Sequence, residues 1–297
     1  VAYVNEANAY ISDKIYPVVP VKKQSDLIPQ YASGDFLRDE AQFRAPGAQS
    51  EGGGWTTSTA TYFARNVAFH KDIPDEVRDN ADPPYDPDVE STLYVTDKIL
   101  MKRDTLWVTD HFTTGKWGTD VTGVTNFVQW SDYALSDPIG DVATGGDTVH
   151  LATAQEANTL VLGRQVWTKL RNHPDFIERI KYTQRGVLTI DLVASMLEVA
   201  RILIGRAIKN TAKQGQTVTN AYVYGKHALL AFVALRPSLM TPSAGYTFHW
   251  NRRNLGLTYI KRIRMEPEGV DRIEGHSYFD QKLVASGAGY FFSSAVA

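Results

Sequence analysis

Asp86–Phe112 reads DPDVESTLYVTDKILMKRDTLWVTDHF. Asp86, Pro87 and Asp88 have the chemistry of a helix start: a capping side chain, a proline in the first turn, and an acid near the positive end of the dipole. Apolar residues then recur at Val89, Leu93, Leu100 and Trp107, with a flanking row at Val95, Ile99 and Leu106. That spacing predicts one helical stripe over about 25 residues, roughly 37 Å. Gly115 and Gly118 end it. A helix of this length is unusual in an ordinary domain.

The residues before the helix read as extended chain. WTTSTATYFARNVAFHKDI (55–73) sets Thr61, Phe63, Arg65, Val67 and Phe69 against Tyr62, Ala64, Asn66, Ala68 and His70. Period-two alternation of β-branched and aromatic residues is the strand signal. DFLRDEAQFRA (35–45) matches less cleanly. Residues 26–44 and 55–73 are therefore predicted to pair as a long hairpin, joined at the tip APGAQSEGGGW (45–55). A lone two-stranded hairpin is marginal in water, so this one is expected to lean on a neighbour. In residues 1–25, Pro17 and Pro20 block a helix and favour extended backbone, which reads as an arm rather than a core element.

Beyond the helix, residues 114–126 read as a polar loop, and a short helix follows Ser136-Asp137-Pro138 until Gly145-Gly146 weakens it. From Asn158 strands and helices alternate. NTLVLG is a strand, RQVWTKLRN a helix stopped at Pro174, DFIERIKY and TIDLVASMLEV helices, and ARILIGRAI, HALLAFVAL and YTFHW strands. GLTYIKRIRMEP, VDRIEGHSYFDQ and KLVASGAGYFF then read as successive strands. The class is α+β.

The chain has 297 residues, 43% of them hydrophobic, enough to bury a sizeable core. A net charge of −2 gives no basic surface for wholesale nucleic-acid binding. The absence of cysteine excludes disulfides, thiolate metal sites and cysteine nucleophiles. The glycines of the tip invite a phosphate loop, but Trp55-Thr56-Thr57 begins a strand where Lys-Ser/Thr and a helix are needed. No pair among the seven histidines has His-x-x-x-His or His-x-His spacing, and no Gly-x-Ser-x-Gly occurs. Glu274, His276 and Asp280 share one strand face and come nearest to an acid–base or metal cluster; a cross-strand polar face explains them more simply. No catalytic residue, metal or cofactor is expected. Trp55 has little of its own hairpin to pack on, which marks it as an interface anchor.

The order of elements is informative. FARNVAFHKDIPDEVRDNADPPYDPD (63–88) leading into the long helix, FVQWSDYALSDPIGDV (127–142), the run from Asn158 to Ile208, and RIEGHSYFDQKLVASGAGYFFSSAV (272–296) together resemble the major capsid proteins of tailed bacteriophages, with the Hong Kong 97-type capsid fold. The resemblance covers most of the chain. It implies an N-terminal arm at 1–25, an extended E-loop at 26–80, a peripheral domain with its spine helix at 81–126, an axial domain at 127–256, and return strands of the peripheral domain at 257–297. It implies a structural protein, not an enzyme. Such a subunit self-assembles through hexamers and pentamers into an icosahedral shell around packaged double-stranded DNA. Its location would be the virion, assembled in the bacterial host cytoplasm without a membrane. Portal, scaffolding or decoration proteins would be further partners. Arg44, Glu51, Gly52, Gly53, Gly54 and Trp55 are the expected inter-subunit contacts. Some family members cross-link through a lysine on the E-loop; the tip between Arg44 and Trp55 has none, which implies non-covalent assembly. An encapsulin-like compartment is the alternative within the same fold, and an enzyme using His276, Glu274 and Asp280 is a third reading.

Overall fold

In the computed structural model, which describes residues 5–180, 188–238 and 241–297, the stretch after Asp86 is one continuous helix. The helices in chain order are α1 (Ser12–Ile15), α2 (Ser33–Phe36), α3 (Asp75–Asp79), α4 (Pro87–His111), α5 (Pro138–Thr153), α6 (Arg164–Leu170), α7 (Pro174–Ile180) and α8 (Ile190–Met196). The strands are β1 (Val18–Val21), β2 (Ser25–Tyr31), β3 (Thr57–Phe63), β4 (Arg65–Pro74), β5 (Thr119–Thr122), β6 (Thr159–Gly163), β7 (Arg201–Gly205), β8 (Ile208–Asn210), β9 (Asn220–Tyr222), β10 (Ala228–Ala231), β11 (Gly245–Trp250), β12 (Tyr259–Met265), β13 (Val270–Leu283) and β14 (Gly289–Ser293). Val1–Val4 of the expected arm and Lys181-Tyr182 of the expected helix DFIERIKY lie outside the described residues.

The Asp86 carboxylate accepts from the Asp88 and Val89 N–H groups and caps α4. The buried face of α4 differs from the expected stripe. Val89 and Leu93 are 55% and 60% exposed, whereas Ser91, Val95, Ile99, Arg103 and Trp107 are buried. The reason is the partner surface. Val95 and Ile99 meet Ile73 of β4 and Ile273 of β13 in a small apolar cluster. A Cβ on Gly275 would fall 2.5 Å from Ile99 Cδ1 and 2.7 Å from Val95 Cγ1, so the missing side chain lets helix and strand approach closely.

Two sheets flank this helix. The first is built on β13. One edge of β13 carries β4 in antiparallel register from Arg65↔Phe279 to Pro74↔Val270. Its other edge carries β12 and then β11, and β1 adds to β11 in parallel. Pro20 sits in that terminal strand, where a missing N–H costs least. The second sheet runs β5-β14-β10-β6-β7. Leu160, Leu162, Ile202, Ile204, Leu230 and Phe292 form one face and pack with residues of α5, α6, α7 and α8. Val161, Leu229 and Phe291 form the other and pack with Trp107 of α4 and Ile15 and Tyr16 of the N-terminal segment.

Three sequence expectations change here. Thr119–Thr122, read as loop, is a strand parallel to β14. The closing residues 257–297 divide between the sheets, because β12 and β13 stay in the first and β14 joins the second. Helix α5 passes through Gly145-Gly146: Gly145 is buried against Tyr290 and Leu230, where a Cβ would come within 3.2–3.3 Å, so its role is packing rather than helix breaking.

The N-terminal segment is also more than an arm. Ala9, Ile11, Ile15 and Tyr16 are core residues. The buried Asp104 carboxylate receives the Ile11 N–H at 3.2 Å, the Ser12 N–H at 3.0 Å and the Tyr224 hydroxyl at 2.7 Å. The Tyr10 hydroxyl donates to Asp97 at 2.5 Å, and Arg103 pairs with Asp13. Asp97, Arg103 and Asp104 of α4 therefore hold the N-terminal segment, which an apolar count cannot reveal.

Candidate assembly interface

The hairpin is shorter and differently built than the sequence suggests. β2 pairs with β3 from Ser25↔Phe63 to Tyr31↔Thr57. At the buried Ala64 the chain turns out of this ladder, and β4 joins β13 instead. The alternation through 55–73 thus spans two strands in two sheets. The inner hairpin face rests on the first sheet: Tyr62 stacks on Phe248 at 4.9 Å, and Gln30 Nε2 donates to the Val284 carbonyl at 3.3 Å.

Residues 35–45 form no strand. Asp35 and Phe36 lie in α2, and the Asp35 carboxylate accepts from the Thr56 N–H at 2.8 Å and the Thr56 hydroxyl at 2.7 Å. Those two donors hold Asp35 below the usual carboxylate range. Arg38 bridges Asp35 and Glu40, so the charges of DFLRDE pair locally rather than alternate across a ladder.

Trp55 is not without company in its own loop. Its ring stacks on Phe36 at 5.9 Å, and Phe36 meets Tyr31 edge-on at 5.8 Å. Trp55 still remains 61% exposed, and Leu37 and Phe43 on the same loop are exposed as well. Arg44 and Glu51 are exposed and make no ion pair among the described residues. Gly52 and Gly54 have open space around them, while Gly53 lies against the Glu40 carboxylate. An isolated chain therefore presents aromatic and unpaired charged groups on one projecting loop.

The far end of β4, where it meets α3 and the β12–β13 turn, is braced by ion pairs. The buried Asp271 carboxylate takes Arg262 at 2.5 Å and Arg78 at 2.6 Å. Arg78 also reaches Asp88 at the start of α4, at 2.9 Å. Arg264 grips Asp75 through two nitrogens at 2.6 and 2.7 Å, and Arg272 grips Asp72 at 2.7 and 2.9 Å. The guanidinium groups of Arg262 and then Arg78 hold Asp271 below the usual carboxylate range; Arg264 does the same for Asp75, and Arg272 for Asp72.

These groups and the histidines set a pH dependence. Burial lowers the basicity of His111, His173 and His227. Their folded pKa lies below the unfolded value, so the unfolded chain takes up protons first as pH falls. Stability is full above the ordinary imidazole range, about 6.5, and declines below it. Asp13 and Asp141, raised by burial, act in the opposite sense. Thermal melting across pH 8 to 5 is expected to show a plateau above about 7 and a falling midpoint beneath about 6.5. A midpoint that rises between pH 7 and 5 would contradict this.

One juxtaposition escaped sequence reasoning. Ser136 Oγ lies 2.9 Å from His173 Nε2, 37 positions away, and Asp175 Oδ2 lies 3.4 Å from His173 Nδ1. The trio has the outline of a nucleophile, a base and an orienting acid. The hydrogen-bond roles are wrong for that. The Ser136 hydroxyl donates to the Asp132 carbonyl at 2.5 Å, which leaves Nε2 to donate to Oγ, while Nδ1 accepts from the Asp175 N–H at 3.3 Å. With Ser136 and His173 buried, the group ties the 131–137 loop to the start of α7. The Glu274/His276/Asp280 set does not converge either. His276 meets Glu274 at 3.6 Å and Asn66 at 3.2 Å, whereas Asp280 receives the Phe63 N–H at 2.8 Å. Among the described residues no group of three His, Cys, Asp or Glu could hold a metal ion.

No protein-family model matches the chain. The major capsid protein of Burkholderia phage BcepMu is 23% identical over 291 residues, spanning 96% of this chain and 91% of that protein. The major capsid protein of Pseudomonas phage JBD67 is 27% identical over 304 aligned positions, spanning 100% and 94%. The chain is thus similar along nearly its whole length to the major capsid proteins of two phages. Its fold agrees: a phage-related protein from Bordetella bronchiseptica RB50 superposes with a TM-score of 0.74 at 22% identity, covering 98% of this chain and 93% of that one. The capsid of cyanophage P-SCSP1u gives 0.65 at 13% identity, covering 99% and 90%. This is the Hong Kong 97-type capsid fold that the sequence resemblance implied. An encapsulin from Synechococcus elongatus PCC 7942 shares it at a lower TM-score of 0.56 and 10% identity, covering 99% and 91%.

Proposed function

We propose that the chain is a structural capsid subunit that self-assembles through hexamers and pentamers into an icosahedral shell around double-stranded phage DNA. The observation that carries this is the full-length relation to two phage major capsid proteins. In this reading the first sheet and α4 form the peripheral body, and the second sheet with α5–α8 forms the axial body that meets its copies around the five- and six-fold positions. The β2–β3 hairpin and its tip are the E-loop. The role is structural rather than enzymatic, and the place is the virion, with assembly in the host cytoplasm. Portal, scaffolding and decoration proteins are the further partners of such a shell.

The tip supplies contacts to an adjacent subunit through Arg44, Glu51, Gly52, Gly53, Gly54 and Trp55. Many weak contacts of this kind, repeated around a closed shell, give avidity without one tight interface. Trp55→Ala is expected to leave the isolated subunit folded, because its ring is largely exposed, and to impair assembly. Circular dichroism and particle yield after sedimentation check both arms; normal yield would sink the anchor role. Particles should dissolve to single subunits in SDS, consistent with a tip that lacks lysine. Packaged DNA in the purified particle separates this function from an encapsulin-like shell, which would carry protein cargo.

A further inference from the structure

Helix α4 and the β2–β3 hairpin lie on opposite faces of the first sheet. Ile273 and Gly275 of β13 turn toward α4, where Val95 and Ile99 pack. Side chains alternate along a strand, so Asp280 and its partner Phe248 of β11 belong to the other face, and Tyr62 of the hairpin stacks there. On β4 the α4 side carries Ile73, which joins Val95 and Ile99, and then Lys71, Phe69, Val67 and Arg65 at alternate positions. One row of α4 looks at these residues. It runs Glu90, Tyr94, Lys98 and Lys102 at four-residue steps, and the Tyr94 ring meets Phe69 edge-on at 5.8 Å.

The groove between these two rows is basic. Arg65, Lys71 and Lys102 are exposed and Lys98 is half-buried, and none of the four makes an ion pair among the described residues. Lys98 Nζ sits 5.1 Å from the centre of the Tyr94 ring, which holds the ammonium over the groove. Phe69 and Tyr94 stay 37% and 41% exposed among the cations. Glu90 is the one carboxylate on either row. Other cations of this sheet are already taken, because Arg262, Arg264 and Arg272 each bind an aspartate. In a chain of net charge −2, a strip of four unpaired cations is a local exception.

We propose that the α4–β4 groove contacts the phosphates of duplex DNA through Arg65, Lys71, Lys98 and Lys102, a reading that rests on the DNA-enclosing role above. Arg65 to Lys71 spans six steps of strand, about 20 Å, which is the rise of about six base pairs. Lysine ammonium groups are point charges on flexible stems, suited to phosphates at variable spacing, and the Tyr94 hydroxyl is a further donor to a phosphate. Phosphate contacts carry no sequence information, so the groove accepts any stretch of duplex. Because the hairpin occupies the opposite face of the sheet, contacts made through its tip leave the groove free. Each subunit offers few contacts, so one copy binds weakly and salt-sensitively, and a shell gains from many copies.

Fluorescence anisotropy of a labelled duplex of about 20 base pairs, titrated with dissociated subunits at several salt concentrations, tests it. The logarithm of the wild-type binding constant should fall against the logarithm of salt with a slope of about −3 to −4, as four phosphate contacts require. The double variant Lys98→Gln/Lys102→Gln should keep the wild-type circular dichroism, bind about tenfold more weakly at ~50 mM salt, and flatten the slope by about 2. Lys261→Gln removes an exposed cation from the opposite face of the sheet and should change neither affinity nor slope. No wild-type binding at ~50 mM salt, or an unchanged slope in the folded double variant, would overturn the proposal. So would a folded double variant that forms no particles in the absence of DNA, since the groove would then belong to a contact between subunits. Wild-type particles that hold no DNA would instead count against the DNA-enclosing role, whereas the salt slope of the subunit reads the groove by itself.

Discussion

Asp104→Ala is expected to lower subunit stability by about 3–5 kcal/mol, because it leaves three buried donors without an acceptor. Those donors are the Ile11 and Ser12 N–H groups and the Tyr224 hydroxyl. Asp104 itself is fully buried, so water cannot easily replace the lost carboxylate. Total stabilities of about 5–15 kcal/mol make this a large fraction. The damage should be local at first, with the segment around Ile11 loosening from α4 before the sheets unfold. Denaturant melts of the dissociated subunit measure the total, and hydrogen exchange at Ile11 and Ser12 measures the local opening. Asp104→Asn keeps one carbonyl acceptor and should lose less. A loss under about 0.5 kcal/mol for the alanine variant would show that the carboxylate does not hold the segment.

Trp107→Ala should cost a similar amount, about 3–5 kcal/mol, through a different mechanism. Trp107 is fully buried at the meeting point of three parts of the chain. Its ring lies 5.7 Å from Tyr16 of the N-terminal segment, 5.6 Å from Phe112 after α4, and 6.0 Å from Tyr224 beside the second sheet. Truncation opens a cavity that those rings cannot all collapse to fill. Because Tyr224 also donates to Asp104, the two substitutions share a neighbour. The double variant should lose less than the two single losses added together. Strict additivity in the denaturant melts would mean that the polar clasp and the aromatic cluster act independently.

Much of the architecture is legible in the sequence, and the failures have physical causes. The cap at Asp86 and the length of α4 follow from local chemistry, as does the buried strand TLVLG of β6. Which face of α4 turns inward does not, because Ser91, Arg103 and Asp104 are buried by partners far along the chain. Helix α5 survives two glycines because Gly145 is needed for close packing against Tyr290. The strand β5 lies in a segment of polar pattern and exists only because β14 returns to pair with it. At the tip, the exposure of Trp55 is foreseeable from three adjacent glycines, but its stacking on Phe36 depends on the Asp35–Thr56 closure. The Ser136–His173 contact carries no spacing signal at all.

The most direct test of the capsid role is the size of what the purified chain forms. Expressed in bacteria and imaged by negative-stain electron microscopy, it should appear as closed shells of uniform diameter and megadalton mass. A stable monomer as the dominant species under the same conditions, with no shells, would contradict the account.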